Sequence, residues 1–274
     1  MNFPFKYRLN RPRYIYSPDG KASHLDKLRG LLQFTPFQAA RVKEPKCLFV
    51  FLEQDREHAN QLYLALRNGI ASFPGCKRLT GISLEQENLE AIRIEDTNTS
   101  GLSKKFLTRI EEKLSSEVAI PDFAFIINKK QPKSLEDDPY PGAKTALTKF
   151  GVPSQYISGE LLDSDYTFRY AISNIALAFF VKLGGIPWSV SIERKAPTLI
   201  FGIKHKEITD PVNQTIQRYI GFATCVLSNG LYLDTSFFPP ASSYEQFLDN
   251  VENGLKRAVC QELCKFSGAL GVLA

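Results

Sequence analysis

The sequence predicts an α/β protein with a parallel, Rossmann-like sheet in its first half and a smaller mixed sheet in its second half. Between residues 47 and 157, short apolar runs such as CLFVFLE and FAFIINKK alternate with segments whose apolar residues recur at helical spacing. After residue 185, strand-like segments instead follow one another through short polar turns, and a long helix comes after them. The first pattern is typical of a sheet that helices cover on both faces.

Length and composition agree with one or two folded cores. The chain has 274 residues, of which 43% are hydrophobic, 12% aromatic and 23% charged, so we expect order nearly throughout. The longest apolar run, Ile175 to Val181, is far shorter than the roughly 20 residues of a membrane helix, and the N-terminus lacks a signal-peptide hydrophobic region. We therefore expect a soluble, cytoplasmic protein that does not contact a membrane.

The cysteines do not predict a zinc site or a disulfide framework. Cys260 and Cys264 stand one helical turn apart, but zinc needs two more ligands and no histidine is spaced to supply them. Their total of five is odd and includes no paired CxxC set, which fits a reducing compartment. We expect core or surface thiols.

Positive charge is concentrated in the first 46 residues, although the net charge is only +5. The cations there are Lys6, Arg8, Arg11, Arg13, Lys21, Lys27, Arg29, Arg41, Lys43 and Lys46. Contact with a polyanion and a solvated basic face are both compatible with this pattern.

The predicted elements divide into three regions: a basic lead-in over 1–46, an α/β domain over 47–165 and a second domain over 166–274. The lead-in has turn-forming prolines and one short helix near Leu25 to Leu32. In the α/β domain the predicted strands are CLFVFLE, LEAIRIE, FAFIINKK and residues 155–157, and the predicted helices are EHANQLYLALRNGIASF, SGLSKKFLTRIEEKLSSE and residues 140–150.

The second domain follows a long helix. That helix is predicted from Asp165 to about Leu183, and it ends at two glycines. The predicted strands are IPWSVSI, TLIFGIK, IQRYIGFATCVL and LYLDTSF, followed by a helix from Tyr244 to about Phe266. Four strands and one helix make a small core for a sheet that needs cover on both faces.

Four polar residues suggest a monophosphate site. Tyr140 and Lys144 are four residues apart at the start of a predicted helix, so they share one face near an N-terminus that favours anions. Gln155 begins the next strand and Lys182 ends the long helix. Two ammonium groups, an amide and a phenol suit a phosphate, and the tyrosine ring suits stacking on a terminal base. Each residue taken alone also has an ordinary explanation, such as a solvated helix lysine or a cation favoured by the helix dipole.

The order of several segments resembles the Argonaute superfamily. PYPGAKTALTKFGVPSQYI, YAISNIALAFFVKLGGIPWSV and PTLIFGIK resemble the MID-to-PIWI region, most closely that of short prokaryotic and archaeal Piwi-like proteins without N and PAZ domains. LRGLLQFTPFQAARVK resembles the segment before the MID domain, although the family more often has glycine where Thr35 stands. The resemblance extends from about Leu28 to the C-terminus. It implies a Rossmann-like MID domain followed by part of an RNase H-like PIWI domain.

The same resemblance implies a role for the four polar residues. In this family a tyrosine, lysine, glutamine and lysine set holds the 5′-phosphate of a guide strand, often with a divalent cation such as Mg²⁺ bridging phosphates. Tyr140, Lys144, Gln155 and Lys182 match these positions. No side-chain metal ligand is expected.

Nuclease activity is not expected from the resemblance. An active PIWI site has its first metal-binding aspartate at the end of the strand TLIFGIK, and that position is Lys204. An ammonium group repels the Mg²⁺ ions that two-metal cleavage needs, although it could touch a phosphate. Glu207 and Asp210 are expected in the turn beyond the strand, where they do not restore the site. The sequence also ends before the segments expected to carry the remaining acidic residues and the C-terminal carboxylate; a natural split, a shortened gene and a truncation remain open.

Three functional hypotheses follow. The first is an inactive guide-binding module that recognises a target by base pairing, within a prokaryotic antiviral defence complex whose APAZ-containing partner supplies the effector activity. The second is an interaction scaffold that docks an effector and binds a guide weakly or not at all. Its apolar C-terminal residues Phe237, Phe238, Phe247 and Leu255 could face either a partner or the chain's own incomplete core. The third, an active guided nuclease, is disfavoured by Lys204. An RNA guide with a DNA target is the preferred pair, although the 2′-OH contacts that separate the polymers cannot be located.

Overall fold

A computed structural model describes residues 12–95, 101–117, 119–129, 134, 136–190, 198–209 and 215–270, without the side chains of residues 217 and 261–270. The chain forms two compact units, Met1–Ser189 and Val190–Ala274. The strands are β1 (Tyr14–Ile15), β2 (Ser23–His24), β3 (Cys47–Leu52), β4 (Leu89–Ile94), β5 (Phe123–Asn128), β6 (Ser154–Ser158), β7 (Ser189–Val190), β8 (Leu199–Thr209), β9 (Ile216–Leu227) and β10 (Tyr232–Ala241). The helices are α1 (Lys27–Gln33), α2 (Arg56–Asn68), α3 (Cys76–Thr80), α4 (Leu102–Ser116), α5 (Pro139–Lys149), α6 (Gly159–Asp163), α7 (Asp165–Lys182) and α8 (Tyr244–Leu270).

A four-stranded parallel sheet, in the order β4-β3-β5-β6, organises the first unit. Every residue of β3 and β5 is buried, as expected for central strands that helices cover on both faces. The predicted parallel α/β sheet is confirmed, and each of the four predicted strands of this domain is present.

Alternation along the strands divides the core of the first unit into two layers. Phe49 and Phe125 point to a layer that also contains the buried residues of α2 and α7, whereas Val50 and Ile126 point to a layer shared with α4 and α5. The α7 layer is rich in phenylalanine: the rings of Phe125 and Phe179 lie 5.2 Å apart. Helices α5 and α7 therefore pack on opposite faces of one sheet.

Helix α7 belongs to the first unit by packing. Phe168, Phe179 and Phe180 are fully buried in the first core, and this unit extends to Ser189. The sequence places the domain boundary earlier, between residues 165 and 166, because the pattern of elements changes there. That division into domains stays a prediction, since a boundary of packing need not coincide with a boundary of family domains.

The lead-in, over its described residues 12–46, packs against the same core. Tyr16 is buried and its hydroxyl donates to the Lys27 carbonyl at 2.7 Å. Farther along, the Arg41 amide donates to the Leu183 carbonyl at 3.0 Å, and Gln38 forms an antiparallel bridge with Ile186. The lead-in is thus fixed to the segment that directly follows α7.

The second unit contains an antiparallel sheet in the order β10-β9-β8. Helix α8 packs on one face through Phe247, which joins Ala223 and Phe238 in a small core. Gly221 lies under this contact, where an added Cβ would come within 2.7 Å of the Phe247 ring. Three of the four predicted strands form this sheet and α8 covers it, but the sheet is antiparallel rather than mixed.

Several predicted boundaries were wrong. The helix expected to end near Gly75 ends at Asn68, and the separate short helix α3 follows. The strand expected to end at Lys204 continues to Thr209, so Glu207 lies inside β8 opposite Tyr219 rather than in a turn. Of the predicted strand IPWSVSI only β7 forms, and its last residues fall outside the described ones, as does Asp210.

Within the described residues, no helix is both long enough and apolar enough to span a membrane.

Substitution of Gly142 by alanine should separate α5 from α4. An added Cβ would come within 1.8 Å of the Ser103 carbonyl oxygen, and overpacking of this kind costs about 1–3 kcal/mol. We expect a lower free energy of unfolding by denaturant titration. Gly202→Ala is the matched control, because a Cβ there meets nothing within 4 Å; equal effects of the two variants would contradict the close approach of the helices.

Candidate functional site

The predicted site residues meet at β6, the last strand of the parallel sheet. Tyr156 packs with the α5 layer and Ile157 with the α7 layer, so successive side chains of β6 face different helices. Lys144 approaches the strand from α5, and Lys182 approaches it from the end of α7. The site therefore lies along the edge of the sheet.

Ser154 is the residue on which the two lysines converge. The Lys182 Nζ donates to the Ser154 carbonyl at 2.6 Å and to the Gln155 Oε1 at 2.8 Å. The Lys144 Nζ donates to the Ser154 Oγ at 3.1 Å. Ser154 is buried, and sequence reasoning missed it; its position one residue before Gln155 at the start of a strand was the only signal available.

Among the described residues, the positive charge of this pair is not neutralised by an acid. No carboxylate forms an ion pair with Lys144 or Lys182 in the described part of the chain, whereas Lys149 pairs with Glu111 at 2.8 Å. Burial lowers the pKa of Lys182, and the nearby charge of Lys144 lowers the pKa further. An anion placed between the two ammonium groups would offset both effects, because a nearby opposite charge favours the protonated form of a lysine.

Tyr140 lies one helical turn before Lys144 on α5. Its side chain is exposed, and its ring meets that of Tyr156 edge-on at 5.4 Å. The Tyr156 hydroxyl accepts a hydrogen bond from Asn128 Nδ2 at 3.3 Å, which holds the supporting ring at the end of β5. A base could stack on the exposed ring of Tyr140.

The N-terminus of α5 differs from the sequence expectation. The Asp138 carboxylate caps the helix by accepting from the Tyr140 amide at 2.9 Å. This amide is engaged, and the carboxylate adds negative charge at the place where an anion was expected. A phosphate would therefore meet the lysines rather than the helix terminus.

Gln155 is brought to the site, but its amide is occupied. The Gln155 Nε2 donates to the Tyr156 carbonyl at 3.0 Å, and its Oε1 accepts from Lys182. Together with Lys182, this side chain covers outward-facing carbonyls of β6. Contact between the amide and a ligand requires exchange of these bonds.

Lys204 lies in the second unit on β8, opposite Phe222 of β9, and its side chain is exposed. Within the described residues no group of three or more histidine, cysteine, aspartate or glutamate side chains could hold a metal ion. The chemistry of the β6 site, with cations, a hydroxyl and an amide, suits binding of an anion.

The model of the Piwi domain matches residues 123–267, more than half of the chain. The chain belongs to the Piwi domain family. This match includes α5, β6 and α7, on which the candidate site is built, and the described second unit as far as residue 267.

Relatives of this chain are Argonaute proteins. It is 24% identical over 230 residues to the Argonaute of Cereibacter sphaeroides, which covers 80% of this chain and 30% of the relative. Among solved structures, Clostridium butyricum Argonaute bound to a guide DNA and a 19-mer target DNA matches with a TM-score of 0.68 at 18% identity, covering 93% of this chain and 34% of that one. Drosophila Piwi matches with a TM-score of 0.60 at 12% identity, covering 93% and 32%.

These structural similarities establish the Argonaute fold. A third structure, Marinitoga piezophila Argonaute in complex with a 5′-OH guide RNA and target DNA, matches with a TM-score of 0.55 at 14% identity, covering 95% of this chain and 39% of that one. The chain thus spans about a third of the length of these relatives. The resemblance stated from the sequence is confirmed.

Substitution of Lys144 by glutamine is expected to raise the pKa of Lys182, because the Lys144 charge is one of the two causes that lower it. Burial remains, so the pKa should stay below that of a solvated lysine. NMR titration of the lysine side chains measures this shift. Lys149→Gln is the control: it lies on the same helix but removes a cation that is paired with Glu111. It should leave the pKa of Lys182 unchanged. An unaltered Lys182 pKa in Lys144→Gln would show that the two ammonium groups do not interact.

Proposed function

We propose that this protein binds the 5′-phosphate end of a guide nucleic acid at the β6 site and recognises a target by base pairing. The observation that carries the proposal is the pair of ammonium groups on Ser154, with no carboxylate partner in the described residues. A terminal phosphate carries more charge than an internal phosphodiester, so it fits a site with two adjacent cations.

Each site residue has a distinct role in this proposal. Lys144 and Lys182 neutralise the phosphate, and the Ser154 hydroxyl, which accepts from Lys144, can donate its own hydrogen to a phosphate oxygen. The Gln155 amide joins after it exchanges its bond to Tyr156. The Tyr140 ring stacks on the first base. Mg²⁺, when bound, would be held by guide phosphates rather than by protein side chains, and it would neutralise part of their charge.

The similar structures favour a nucleic-acid ligand but do not decide between RNA and DNA. The C. butyricum protein holds a guide DNA, whereas the M. piezophila protein holds a guide RNA with a 5′-hydroxyl. The polymer type of the guide therefore differs among proteins of this fold. An RNA guide with a DNA target remains our preferred pair for this chain.

The wider architecture forms part of the proposal. Residues 47–165 act as the MID domain and residues 166–274 as a PIWI-type domain without nuclease activity, since Lys204 stands at the first metal-binding position. An APAZ-containing partner supplies the effector activity of a prokaryotic defence complex. Lys204 then touches nucleic acid or a partner rather than Mg²⁺.

A structural role for the two lysines is the main competing explanation. Edge strands are commonly protected by lysine, and Lys182 covers a carbonyl of β6. This role explains Lys182 but not Lys144, which bonds to the Ser154 hydroxyl instead of the strand backbone. An edge-protecting lysine also does not require a second unpaired cation beside it.

Guide binding should depend on both lysines. Equilibrium binding of matched oligonucleotides with a 5′-phosphate or a 5′-hydroxyl, as RNA and DNA, with and without Mg²⁺, is expected to show a preference for the phosphate. Loss of one charge-assisted bond should weaken binding about tenfold or more. Lys144→Glu with Lys182→Glu should abolish the preference.

The control is a double reversal with the same change in net charge, Lys21→Glu with Lys149→Glu, at two exposed positions. It should keep the preference for a 5′-phosphate. Weak, salt-sensitive binding that ignores the 5′ end would indicate a basic surface only and would favour the scaffold hypothesis.

Target cleavage is not expected. Protein loaded with a guide should leave a labelled complementary strand intact in Mg²⁺ or Mn²⁺, because Lys204 disfavours a pair of metal ions. Denaturing electrophoresis of RNA and DNA targets measures this. Metal-dependent cutting at a fixed distance from the guide 5′ end, lost in Glu207→Gln, would instead establish a nuclease.

A further inference from the structure

The basic lead-in, which the β6 site does not use, is held directly beside the end of α7. The Phe37 amide donates to the Pro187 carbonyl at 3.2 Å, and the Arg41 amide donates to the Leu183 carbonyl at 3.0 Å. Between them, Gln38 exchanges two backbone hydrogen bonds with Ile186, each of 2.9 Å. This ladder fixes the lead-in to the residues that immediately follow Lys182.

The Arg41 side chain lies across the glycine turn that ends α7. A Cβ at Gly184 would come within 2.9 Å of the Arg41 Nε, 3.0 Å of its Cγ and 3.2 Å of its Cδ. Gly184 also has a φ of +84°, which favours glycine. The aliphatic part of the Arg41 side chain therefore packs on the backbone of Gly184. Its guanidinium is held near this residue, which lies two positions after Lys182.

The charge of Arg41 is available for a ligand. Its side chain is exposed, and in the part of the chain that the structure describes it forms no ion pair. In the same unit Lys46 pairs with Glu90 at 2.5 Å, so acids do neutralise other cations of the lead-in. Arg41 is thus a cation without an ion pair among the described residues, and it contacts Gly184, two residues after Lys182.

We infer that Arg41 binds an internal phosphodiester of the same strand whose 5′-phosphate lies between Lys144 and Lys182. This inference rests on the proposed function and extends it: the lead-in becomes part of the nucleic-acid site. The contact of the Arg41 side chain with Gly184 orders the guanidinium before a ligand binds. A guanidinium suits a phosphate because two of its N–H groups can donate to two phosphate oxygens at once. The contact is to the backbone and is independent of base sequence.

Stabilisation of α7 is the other role that a cation here can have, since cations are favourable at the C-terminal end of a helix. The two roles differ in what they predict. Loss of a helix-stabilising charge lowers the midpoint of thermal unfolding without a ligand. Loss of a phosphate contact lowers affinity and the dependence of affinity on salt.

A double-mutant cycle between protein and oligonucleotide tests the inference. Wild type and Arg41→Ala are titrated with 5′-phosphorylated strands in which one of the first four linkages is a neutral methylphosphonate. With the unmodified strand, Arg41→Ala should weaken binding about tenfold or more and reduce the salt slope by about 0.7. At one linkage the neutral group should weaken binding to wild type but not to Arg41→Ala.

Lys43→Ala is the matched control, because Lys43 is an exposed cation of the same segment. It should show no coupling to any single linkage, and the midpoints of thermal unfolding of both variants exclude a folding defect. Absence of coupling for Arg41 at all four linkages, with the 5′-phosphate preference of wild type intact, would overturn this inference alone. Absence of that preference in wild type would overturn the proposed function.

Discussion

The candidate site depends on the packing of α5 and α7 against opposite faces of one parallel sheet. Ala143 and Leu147 fix α5 in one layer, and Phe179 and Phe180 fix α7 in the other. Because β6 is the last strand, the helices flank it without another strand between their polar ends. Two lysines from opposite sides of a sheet can then reach a single residue, which would be impossible at a central strand.

The elements of the fold could be predicted from the sequence where the residues that are buried are also the residues that pair within the sheet. The apolar runs of β3 and β5 predicted central strands because such residues are buried on both faces. The helix prediction was wrong beyond α2 because Phe73 continues the apolar spacing and is buried without being helical. Gly69 adopts a positive φ and ends α2, and Gly75, which also has a positive φ, precedes α3. Strand β8 extends past Lys204 because pairing with β9 continues through polar residues, which apolar patterning does not register.

For the candidate site, residue types and spacing predicted Lys144, Gln155 and Lys182 but not how they meet. Ser154, to which both lysines bond, is a common residue type that gave no signal in the sequence. Only the pairing of β6 with β5 places it between the two helices. The Asp138 cap was also missed, because the preference for anions at a helix N-terminus holds only when its amides are free. Arg41 was one cation among many in the sequence; its distinct position comes from contacts with residues more than 140 positions away.

The bonds between Lys182 and the β6 strand have a consequence for the protein without a ligand. The Lys182 ammonium group donates to the Ser154 carbonyl and to the Gln155 Oε1. The same bonds occupy the outer edge of the sheet, where a strand from another molecule could otherwise pair. Lys182 therefore helps to close this edge of the sheet against pairing with a second molecule.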